Sequence, residues 1–275
     1  MKLIMTLVTK NEDDILAHML EYHYTQGVDF FIVVDHNSTD YTPNILRQYQ
    51  DRGKLKVIPC ADECFYQAQW VTKMAREAAT VYGADWIINT DSDEFWVPDS
   101  GTINIKDALS KVPPEYGRLH INRYDFLFRG YTQGPFYQAM TIRENVRKWT
   151  KCCHKADPDV EVHEGNHDIN SKLSCYSESI PLRILHYPVR SYIRYKKAVE
   201  DKASAFFKRT DIEPGTNFHW EGALEHIKNG TFDAHFQQFC LASDQINYGI
   251  TRGQYIVDDS IAKFFYILKN GKDIL

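Results

Sequence analysis

Four short apolar runs stand out in the first ninety residues, at positions 2–9, 29–35, 54–58 and 84–90. The second reads DFFIVVD and the fourth ADWIINT, so polar and apolar positions do not alternate within them. Apolar residues between the runs recur at helical spacing, and a helix is expected over roughly 66–82. Continuously apolar strands that alternate with helices are typical of parallel sheets buried on both faces. The pattern predicts an α/β fold with a parallel sheet and helices on both faces.

Polar residues beside these runs predict where the first two helices begin. Asn11 precedes three acidic residues, an arrangement that caps a helix and suits the positive end of its dipole. Ser38 or Thr39 is expected to cap the second helix, with Pro43 in its first turn. Asn11 and Ser38 or Thr39 are thus each predicted to cap the helix that follows.

The regular alternation weakens after Pro98. Residues 118–128 and 182–187 are predicted as strands, 191–207 and 261–269 as helices, and 129–180 as mostly polar loop with one strand near 141–149. No linker or internal repeat interrupts the chain. We therefore expect one domain over 1–207, with one half at 1–100 and a second half at 101–207. A helical C-terminal extension at 208–275 would pack on the same domain.

Composition excludes several classes of protein. The chain has 275 residues and a formal net charge of −5, which disfavours a nucleic-acid binder. No apolar run approaches the length of a membrane span, and the start MKLIMTLVTKNEDD suits a first strand better than a signal peptide. Six cysteines without an export signal are expected to be reduced thiols. We expect a cytoplasmic location, with peripheral association at a membrane surface as an alternative.

Residues 163–167 read HEGNH, which matches the His-Glu-x-x-His motif of zinc metalloproteases. That motif works only on a helix, where both imidazoles share one face around the metal. Gly165 and Asn166 are poor helix formers, and Pro158 lies just upstream. A zinc hydrolase using His163, Glu164 and His167 therefore stays an alternative, and the match is interpreted as accidental. A zinc site built from Cys152, Cys153, His154, His163 and His167 would have a spacing unlike the common fingers.

The stretch INTDSDEFW at 88–96 carries the clearest chemistry. Its apolar strand ends in Asp91, Ser92, Asp93 and Glu94, at the edge of a parallel sheet where ligands bind. Three carboxylates this close repel one another unless a cation or hydrogen bonds compensate. Oxygen ligands suit Mg²⁺ or Mn²⁺, which bind through one or two carboxylates together with substrate phosphates. The stretch therefore predicts a site for Mn²⁺ or Mg²⁺.

Two blocks of sequence together resemble a known family. Residues 7–46, from LVTKNEDD to TPNIL, followed by ADWIINTDSDEFW, resemble the GT-A fold glycosyltransferases of the family-2-like group. The similarity resumes at LRILHYPVRSYIRYKKA (182–198), which looks like that family's later His-Tyr-x-x-Arg-Ser segment. The resemblance implies transfer of a sugar from a nucleoside-diphosphate sugar, with a UDP-sugar favoured, to a hydroxyl of a glycan or other acceptor. Such enzymes act in glycan or polysaccharide synthesis. The resemblance also implies a GT-A-like (Rossmann-like) fold with a mixed, mainly parallel sheet, in which residues 1–100 form the nucleotide-binding half and 101–207 the acceptor and metal half.

The resemblance also implies roles for single residues. Asp91 and Asp93 would hold the metal, with His186 and His167 completing its shell. Asp35 would bond the base or ribose, although typical members have two adjacent acids where this chain has Asp35 and His36, which leaves the base open. The full set of implied nucleotide-sugar contacts is Thr9, Asn11, Asp35, Gln67, Gln69, Lys73, Asp91, Arg190 and Lys197.

The segment HEGNHD lies in the part of such enzymes that covers the sugar and the acceptor. An inverting transferase needs a carboxylate to take the proton of the acceptor hydroxyl as it attacks. Glu164 and Asp168 are the candidates for this catalytic base. Besides the zinc hydrolase, a relative that binds nucleotide sugars without turnover remains an alternative.

Overall fold

The computed structural model describes residues 1–99, 101–130, 134–212 and 218–270. The chain forms two compact units, and each is assembled from separate stretches. The first unit contains Met1–Arg123, Lys148–His186 and Ala205–Asp211, and the second contains Tyr124–Arg147, Tyr187–Ser204 and Ile212–Leu275. The contiguous division at residue 207 stays a prediction, because compact units and domains need not coincide. No helix in the described residues is long and apolar enough to cross a membrane.

The first ninety-one residues fold as the alternation of strands and helices predicts. The elements are β1 (Leu3–Thr9), α1 (Leu16–Thr25), β2 (Phe30–His36), α2 (Thr42–Asp51), β3 (Leu55–Cys60), α3 (Gln67–Thr80) and β4 (Trp86–Asp91). Strands β1 to β4 pair in parallel, with β1 between β2 and β4. This confirms the predicted parallel half of the sheet.

The remaining elements follow in chain order. They are β5 (Glu94–Pro98), α4 (Ile105–Ser110), β6 (Arg118–Asp125), α5 (Phe136–Ala139), β7 (Ile142–Glu144), β8 (Thr150–Lys155), β9 (Glu161–Val162), β10 (Ile169–Asn170), β11 (Cys175–Tyr176), β12 (Leu182–His186), α6 (Tyr192–Ala198), α7 (Ser204–Phe207), α8 (Phe218–Lys228), α9 (Phe232–Gln237), α10 (Ser243–Thr251), β13 (Tyr255–Val257) and α11 (Ser260–Asn270). A π-helical stretch, Val199–Ala203, joins α6 to α7, so the helix predicted over 191–207 is confirmed.

The main sheet has nine strands in the order β3-β2-β1-β4-β8-β6-β12-β5, and β11 pairs with β6. β8 runs antiparallel to both β4 and β6, and β12 runs antiparallel to β5. The sheet is therefore mixed, with its parallel half formed by the first ninety-one residues. Both the α/β class and the mixed sheet confirm the prediction.

The position of β8 corrects the expectation of a mostly polar loop over 129–180. This strand lies between β4 and β6 in the sheet, and Lys151, Cys152, Cys153 and His154 are all buried in it. Hydrophobic periodicity cannot detect such a strand, because two of its four buried side chains, Lys151 and His154, are polar. The short strand β7 does fall within the 141–149 range that was predicted.

The predicted helix caps are also wrong. Helix α1 begins at Leu16 and α2 at Thr42, and no side chain caps either of them. Instead Asn11 has φ 55° and its Oδ1 accepts the backbone N–H of Thr39 at 2.8 Å. Ser38 Oγ in turn accepts the N–H of Asn11 at 3.0 Å. These polar side chains tie the loops after β1 and β2 together, because neighbouring parallel strands bring those loops side by side.

Helix α3 sets one side of the site described below. Its buried face, with Trp70, Val71 and Met74, packs against Ile4 and Ile32 of the sheet. Each fully buried side chain of this size contributes about 1.5–3 kcal/mol of transfer free energy. This packing fixes the first residue of α3, Gln67, close to the end of β4.

The second unit has a core of aromatic rings and helices. Tyr192 of α6 packs edge-on against Phe232 and Phe236 of α9. β13 pairs antiparallel with β7, and Arg143 forms an ion pair with Asp258 at 2.8 Å beside that ladder. The helices α8 to α11 match the helical character predicted for the C-terminal part of the chain.

Candidate active site

The carboxyl ends of three adjacent parallel strands bring together Thr9, Asp35 and Asp91. In the ladders, Thr9 is level with Asp35, and Val8 is level with Asp91. Thr9 is buried, whereas Asp35 and Asp91 are partly exposed. In open α/β sheets this edge is where ligands bind. The structure therefore places three of the sequence-predicted residues at one edge.

His36, next to Asp35, forms part of an aromatic wall. Its ring lies 4.9 Å from the Trp70 ring and 5.6 Å from the Phe65 ring, centroid to centroid. Burial lowers the pKa of His36, so the ring is neutral at pH 7. One ring nitrogen is 2.8 Å from the backbone carbonyl oxygen of Asp62. His36 therefore adds an apolar surface beside Asp35, in the place where a second acid is typical of the family it resembles.

Asp91 is held by hydrogen bonds on both of its oxygens. The amide of Gln67 donates to Oδ1 at 2.9 Å, and the amide of Asn166 approaches the same oxygen at 3.4 Å. The ammonium nitrogen of Lys151 lies 2.5 Å from Oδ2. This fixed carboxylate is thus oriented by α3, by β8 and by the turn that contains Asn166.

Lys151 and Glu94 form a buried ion pair beneath Asp91. Lys151 Nζ lies 3.2 Å from Glu94 Oε1, with side-chain exposures of 2% and 0%, and Arg123 approaches the same oxygen at 3.5 Å. Burial alone would lower the pKa of Lys151, but the carboxylates of Asp91 and Glu94 outweigh it and raise that pKa. Lys151 is therefore a permanent cation inside the acidic cluster.

Asp93 and His186 meet at the other end of the acidic stretch. Nε2 of His186 lies 3.5 Å from Oδ2 of Asp93, and both side chains are largely buried. Strand pairing produces this contact, because His186 of β12 is level with Glu94 of β5. The structure thus brings together two of the four predicted metal ligands.

The HEGNH segment is not an α-helix. Residues Glu164–Asn166 form one 3₁₀ turn, with positive φ at Gly165 (72°) and Asn166 (59°). A Cβ at Gly165 would lie 2.7 Å from the His167 ring, so the turn requires glycine. His163 and His167 therefore do not share a helix face, which removes the geometry that a zinc protease needs. The Gly165 N–H instead donates to Gln67 Oε1 at 3.2 Å.

His167 is partly buried beside Thr150. Its Nδ1 lies 2.7 Å from the Thr150 carbonyl oxygen, and burial lowers the pKa of His167. A neutral ring that donates from Nδ1 leaves Nε2 as a lone-pair donor, as a metal ligand requires.

The two candidate bases have different surroundings. Glu164 forms an ion pair with Arg209, whose guanidinium lies over the rings of Tyr66 and Phe206. Asp168 lies 3.1 Å from Nε2 of His120 and 3.6 Å from Arg118. Burial pushes the pKa of Asp168 upward, but the Ile169 N–H and the charges of His120 and Arg118 hold it below its ordinary value.

The other predicted contact residues are Gln69, Lys73, Arg190 and Lys197. Gln69 and Lys73 are exposed on α3 in the first unit. Arg190 and Lys197 belong to the second unit, where Arg190 donates to the Tyr187 carbonyl oxygen at 3.0 Å and Lys197 pairs with Asp201 at 3.1 Å. Their contacts with a nucleotide sugar stay predictions.

The family model for glycosyltransferase family 92 matches residues 5–228, which is most of the chain. The chain belongs to glycosyltransferase family 92. It is therefore a glycosyltransferase, and the resemblance found in the sequence is confirmed at that level. No curated protein matches the chain.

Solved structures similar to this family 92 member are more distant. S. aureus TarS residues 1–349 in complex with UDP is similar over 89% of this chain and 76% of that chain, at 17% identity and a TM-score of 0.43. The same TarS fragment in complex with UDP-GlcNAc is similar over 87% of this chain and 74% of that chain, at 16% identity and a TM-score of 0.45. Glucosyl-3-phosphoglycerate synthase from Mycobacterium tuberculosis, with Mn²⁺, UDP and glucosyl-3-phosphoglycerate, is similar over 47% of this chain and 44% of that chain, at 17% identity and a TM-score of 0.30.

Three residues of this family 92 site escaped the sequence analysis: Arg123, Lys151 and Asn166. Lys151 is separated from Asp91 by 60 residues, and only the pairing of β8 with β4 brings them together. Arg123 lies within β6, whose sequence looks like that of an ordinary half-exposed strand. The sequence marks Asn166 as a poor helix former, and its positive φ is the conformation that places its amide near Asp91.

Proposed function

We propose that this family 92 enzyme transfers a sugar from a nucleoside-diphosphate sugar, with a UDP-sugar as the first candidate, to a hydroxyl of a glycan acceptor. The observation that supports this most is that Asp35 and Asp91 lie along one sheet edge, with the Asp93–His186 pair directly after Asp91 in the chain. A nucleoside at the end of β2 would leave its diphosphate beside the acidic stretch after β4. The nucleoside and the diphosphate would then lie along the sheet edge in the order in which they are joined in a sugar nucleotide.

The nucleoside would lie between Asp35 and the loop fixed by Asn11. In this proposal Asp35 accepts from the base or ribose, and Thr9 and Asn11 shape the floor of the pocket. Gln67, Gln69 and Lys73 of α3 would contact the sugar or diphosphate, and Arg190 and Lys197 would neutralise phosphate oxygens.

A divalent ion fits Asp93 and His186 best. A carboxylate and an imidazole nitrogen 3.5 Å apart form a donor pair suited to Mn²⁺, with His167 as a further ligand. Asp91 contributes mainly charge, because Lys151 and Gln67 already bond its oxygens. When bound, Mn²⁺ or Mg²⁺ supplies Lewis acidity that neutralises the departing diphosphate.

Lys151 would keep Asp91 ionised and in place during the reaction. A carboxylate next to a buried ammonium stays charged without an exchangeable ion. Asp91 can then accept hydrogen bonds from the donor's ribose before any metal arrives. Lys151 is thus proposed as a positioning residue for the nucleotide.

Glu164 is the better candidate for the base. Its turn contains Gly165 and Asn166, which contact Gln67 and Asp91, so Glu164 lies next to the proposed donor site. The lowered pKa of Asp168 makes it a weaker proton acceptor. In this mechanism Glu164 takes the proton of the acceptor hydroxyl while the oxygen attacks the anomeric carbon and the diphosphate leaves.

The proposal is tested by measuring binding of UDP, GDP, CDP and their sugars by isothermal titration calorimetry, with and without Mn²⁺. Tight binding of one diphosphate that falls on adding EDTA, together with slow hydrolysis of its sugar, supports it. Binding of none of these nucleotides, or binding that ignores both Asp35→Ala and EDTA, would exclude the proposed donor site.

A further inference from the structure

A second group of metal-binding side chains lies on the sheet face opposite Lys151. In the antiparallel pairing of β6 with β8, His120 is directly level with Cys152. Such cross-strand neighbours have Cβ atoms about 4.5–5.5 Å apart on one face. β11 pairs with β6 on its other side, with Cys175 level with Arg118. Because Arg118 and His120 are two residues apart, the three strands present Cys152, His120 and Cys175 on the same face.

Asp168, in the loop between β9 and β10, contacts the side chains on this sheet face. Its Oδ1 lies 3.1 Å from Nε2 of His120. One donor atom each from His120, Cys152 and Asp168 lies within 4.8 Å of the other two. The other ring nitrogen of His120, Nδ1, lies 3.6 Å from Cys175 Sγ. The guanidinium of Arg118 also contacts Asp168, at 3.6 Å.

The chemistry of these donors selects the metal. Thiolate and imidazole ligands suit Zn²⁺, whereas Mg²⁺ and Ca²⁺ prefer oxygen alone. A ligating histidine almost always engages its second ring nitrogen in a hydrogen bond that fixes the ring. Here Cys175 Sγ is placed to accept that bond from Nδ1–H. Three protein ligands with partly exposed His120 and Asp168 leave room for water as a fourth ligand.

We propose that Cys152 Sγ, His120 Nε2 and one Asp168 carboxylate oxygen bind Zn²⁺, with Cys175 orienting the histidine ring. On binding, the Cys152 thiol releases its proton to solvent as the zinc–sulfur bond forms. Arg118 keeps its hydrogen bond to the Ile169 carbonyl oxygen at 3.2 Å and, at 3.6 Å from Asp168 Oδ1, helps to hold this carboxylate. The site differs from the proposed Asp93–His186 site in location and in its sulfur ligand.

The metal would clip the β9–β10 loop to the sheet. Asp168 is the last residue before β10, and the same loop contains Gly165 and Asn166, which contact Gln67 and Asp91. Zinc at Asp168 would therefore hold the turn against the donor site. A zinc-bound Asp168 would not be available as the catalytic base, which leaves Glu164 as the candidate.

The test is zinc content and cobalt spectroscopy on the full chain. We expect about one zinc per chain by plasma mass spectrometry after dialysis, and a thiolate-to-cobalt charge-transfer band when Co²⁺ replaces zinc. Cys152→Ser should abolish the band, and His120→Ala should release the zinc. Cys175→Ala should weaken zinc affinity about 10–100-fold, the usual effect of removing such a supporting group.

Controls separate this site from the rest of the molecule. Cys240→Ser, at an exposed cysteine, and Asp93→Ala should both retain zinc and the cobalt band. Circular dichroism checks that both variants are folded. If Cys152→Ser does not fold, His120→Ala, which changes a partly exposed side chain, carries the test. Wild-type chain without stoichiometric zinc, or zinc retained by both Cys152→Ser and His120→Ala, would overturn the proposal. Neither result would affect the donor-binding test above.

Discussion

The ammonium nitrogen of Lys151 lies 2.5 Å from Oδ2 of Asp91, and only 2% of the lysine side chain is exposed. A lysine buried to this extent needs an anionic partner, and here it has both Asp91 and Glu94. The acidic stretch after β4 is therefore partly neutralised by the protein itself. This arrangement gives Lys151 a role in stability as well as in the proposed binding of nucleotide.

Replacing Lys151 by methionine should destabilise the protein strongly. The change leaves Asp91 and Glu94 without their main counter-charge, and removing one partner of a buried pair costs about 3–5 kcal/mol. Denaturant unfolding at pH 7 measures the loss. Lys56→Met removes a more exposed pair with Glu77 (Lys56 side chain 40% exposed) and should cost about 0–1 kcal/mol. Equal losses for the two variants would contradict a buried ion pair at Lys151.

Asp93→Ala should abolish sugar transfer while the fold is retained. If Asp93 and His186 hold the ion, the variant should also lose the Mn²⁺-dependent part of nucleotide binding, so that EDTA has no further effect. Calorimetric titration of UDP with and without EDTA measures this. Asp51→Ala, at an exposed position on α2, is the matched control and should behave as wild type. Undiminished transfer by Asp93→Ala would remove this carboxylate from the site.

Arg190→Ala should weaken binding of UDP more than binding of uridine. The lost partner would be a phosphate, and a hydrogen bond to a charged group is worth about 1.5–3 kcal/mol, or roughly a 10- to 150-fold change in affinity. Titration of both ligands measures the difference. Arg252→Ala, which removes a guanidinium bonded to Tyr248 in the second unit, should change neither affinity. Equal loss of both ligands would indicate that Arg190 has a packing role.

Glu164→Gln should reduce transfer by about 10² to 10⁴, the usual contribution of a general base, with donor affinity nearly unchanged. The assay uses saturating donor and determines the anomeric configuration of the product. Glu161→Gln, on β9 and exposed, is the control and should keep full activity. Inverted product formed at the wild-type rate by Glu164→Gln would show that Glu164 is not the base.

Acid should destabilise the protein through His23. Its ring is fully buried, Trp96 N–H donates to its Nε2 at 3.0 Å, and burial lowers the pKa of His23 to about 3. Above pH 6.5 neither the folded nor the unfolded state is protonated at His23, so this residue adds no pH dependence. Between pH 6.5 and about 3 the unfolded state binds a proton that the folded state does not, so stability falls as pH falls.

Denaturant unfolding at several pH values measures this effect. The pH dependence between 6.5 and 4 should be smaller in His23→Gln than in wild type, because the glutamine side chain does not titrate. His226→Gln, at an exposed position, should keep the wild-type slope. An unchanged slope in His23→Gln would assign the acid sensitivity to other groups.

The sequence by itself determined the parallel half of the fold and the edge where the site lies. Strands β1, β2 and β4 are mostly apolar because both of their faces are buried, and such runs are visible without any long-range information. A polar residue at the end of each run then has to lie at the carboxyl edge, so Thr9, Asp35 and Asp91 were predictable. The glycine and asparagine of HEGNH likewise showed that this segment is not a helix.

Only the tertiary structure decided which groups surround those residues. Lys151 lies in a strand without a hydrophobic pattern, so neither β8 nor its contact with Asp91 could be predicted. Asn11 looks like a helix cap, but its Oδ1 accepts the backbone N–H groups of Thr39 and Asp40, in the loop after the neighbouring strand β2. Cys152, His120 and Asp168 are far apart in the chain and meet because β6 and β8 pair in one register. Local pattern fixes where a strand ends, whereas the pairing partner and register depend on the packing of the whole sheet.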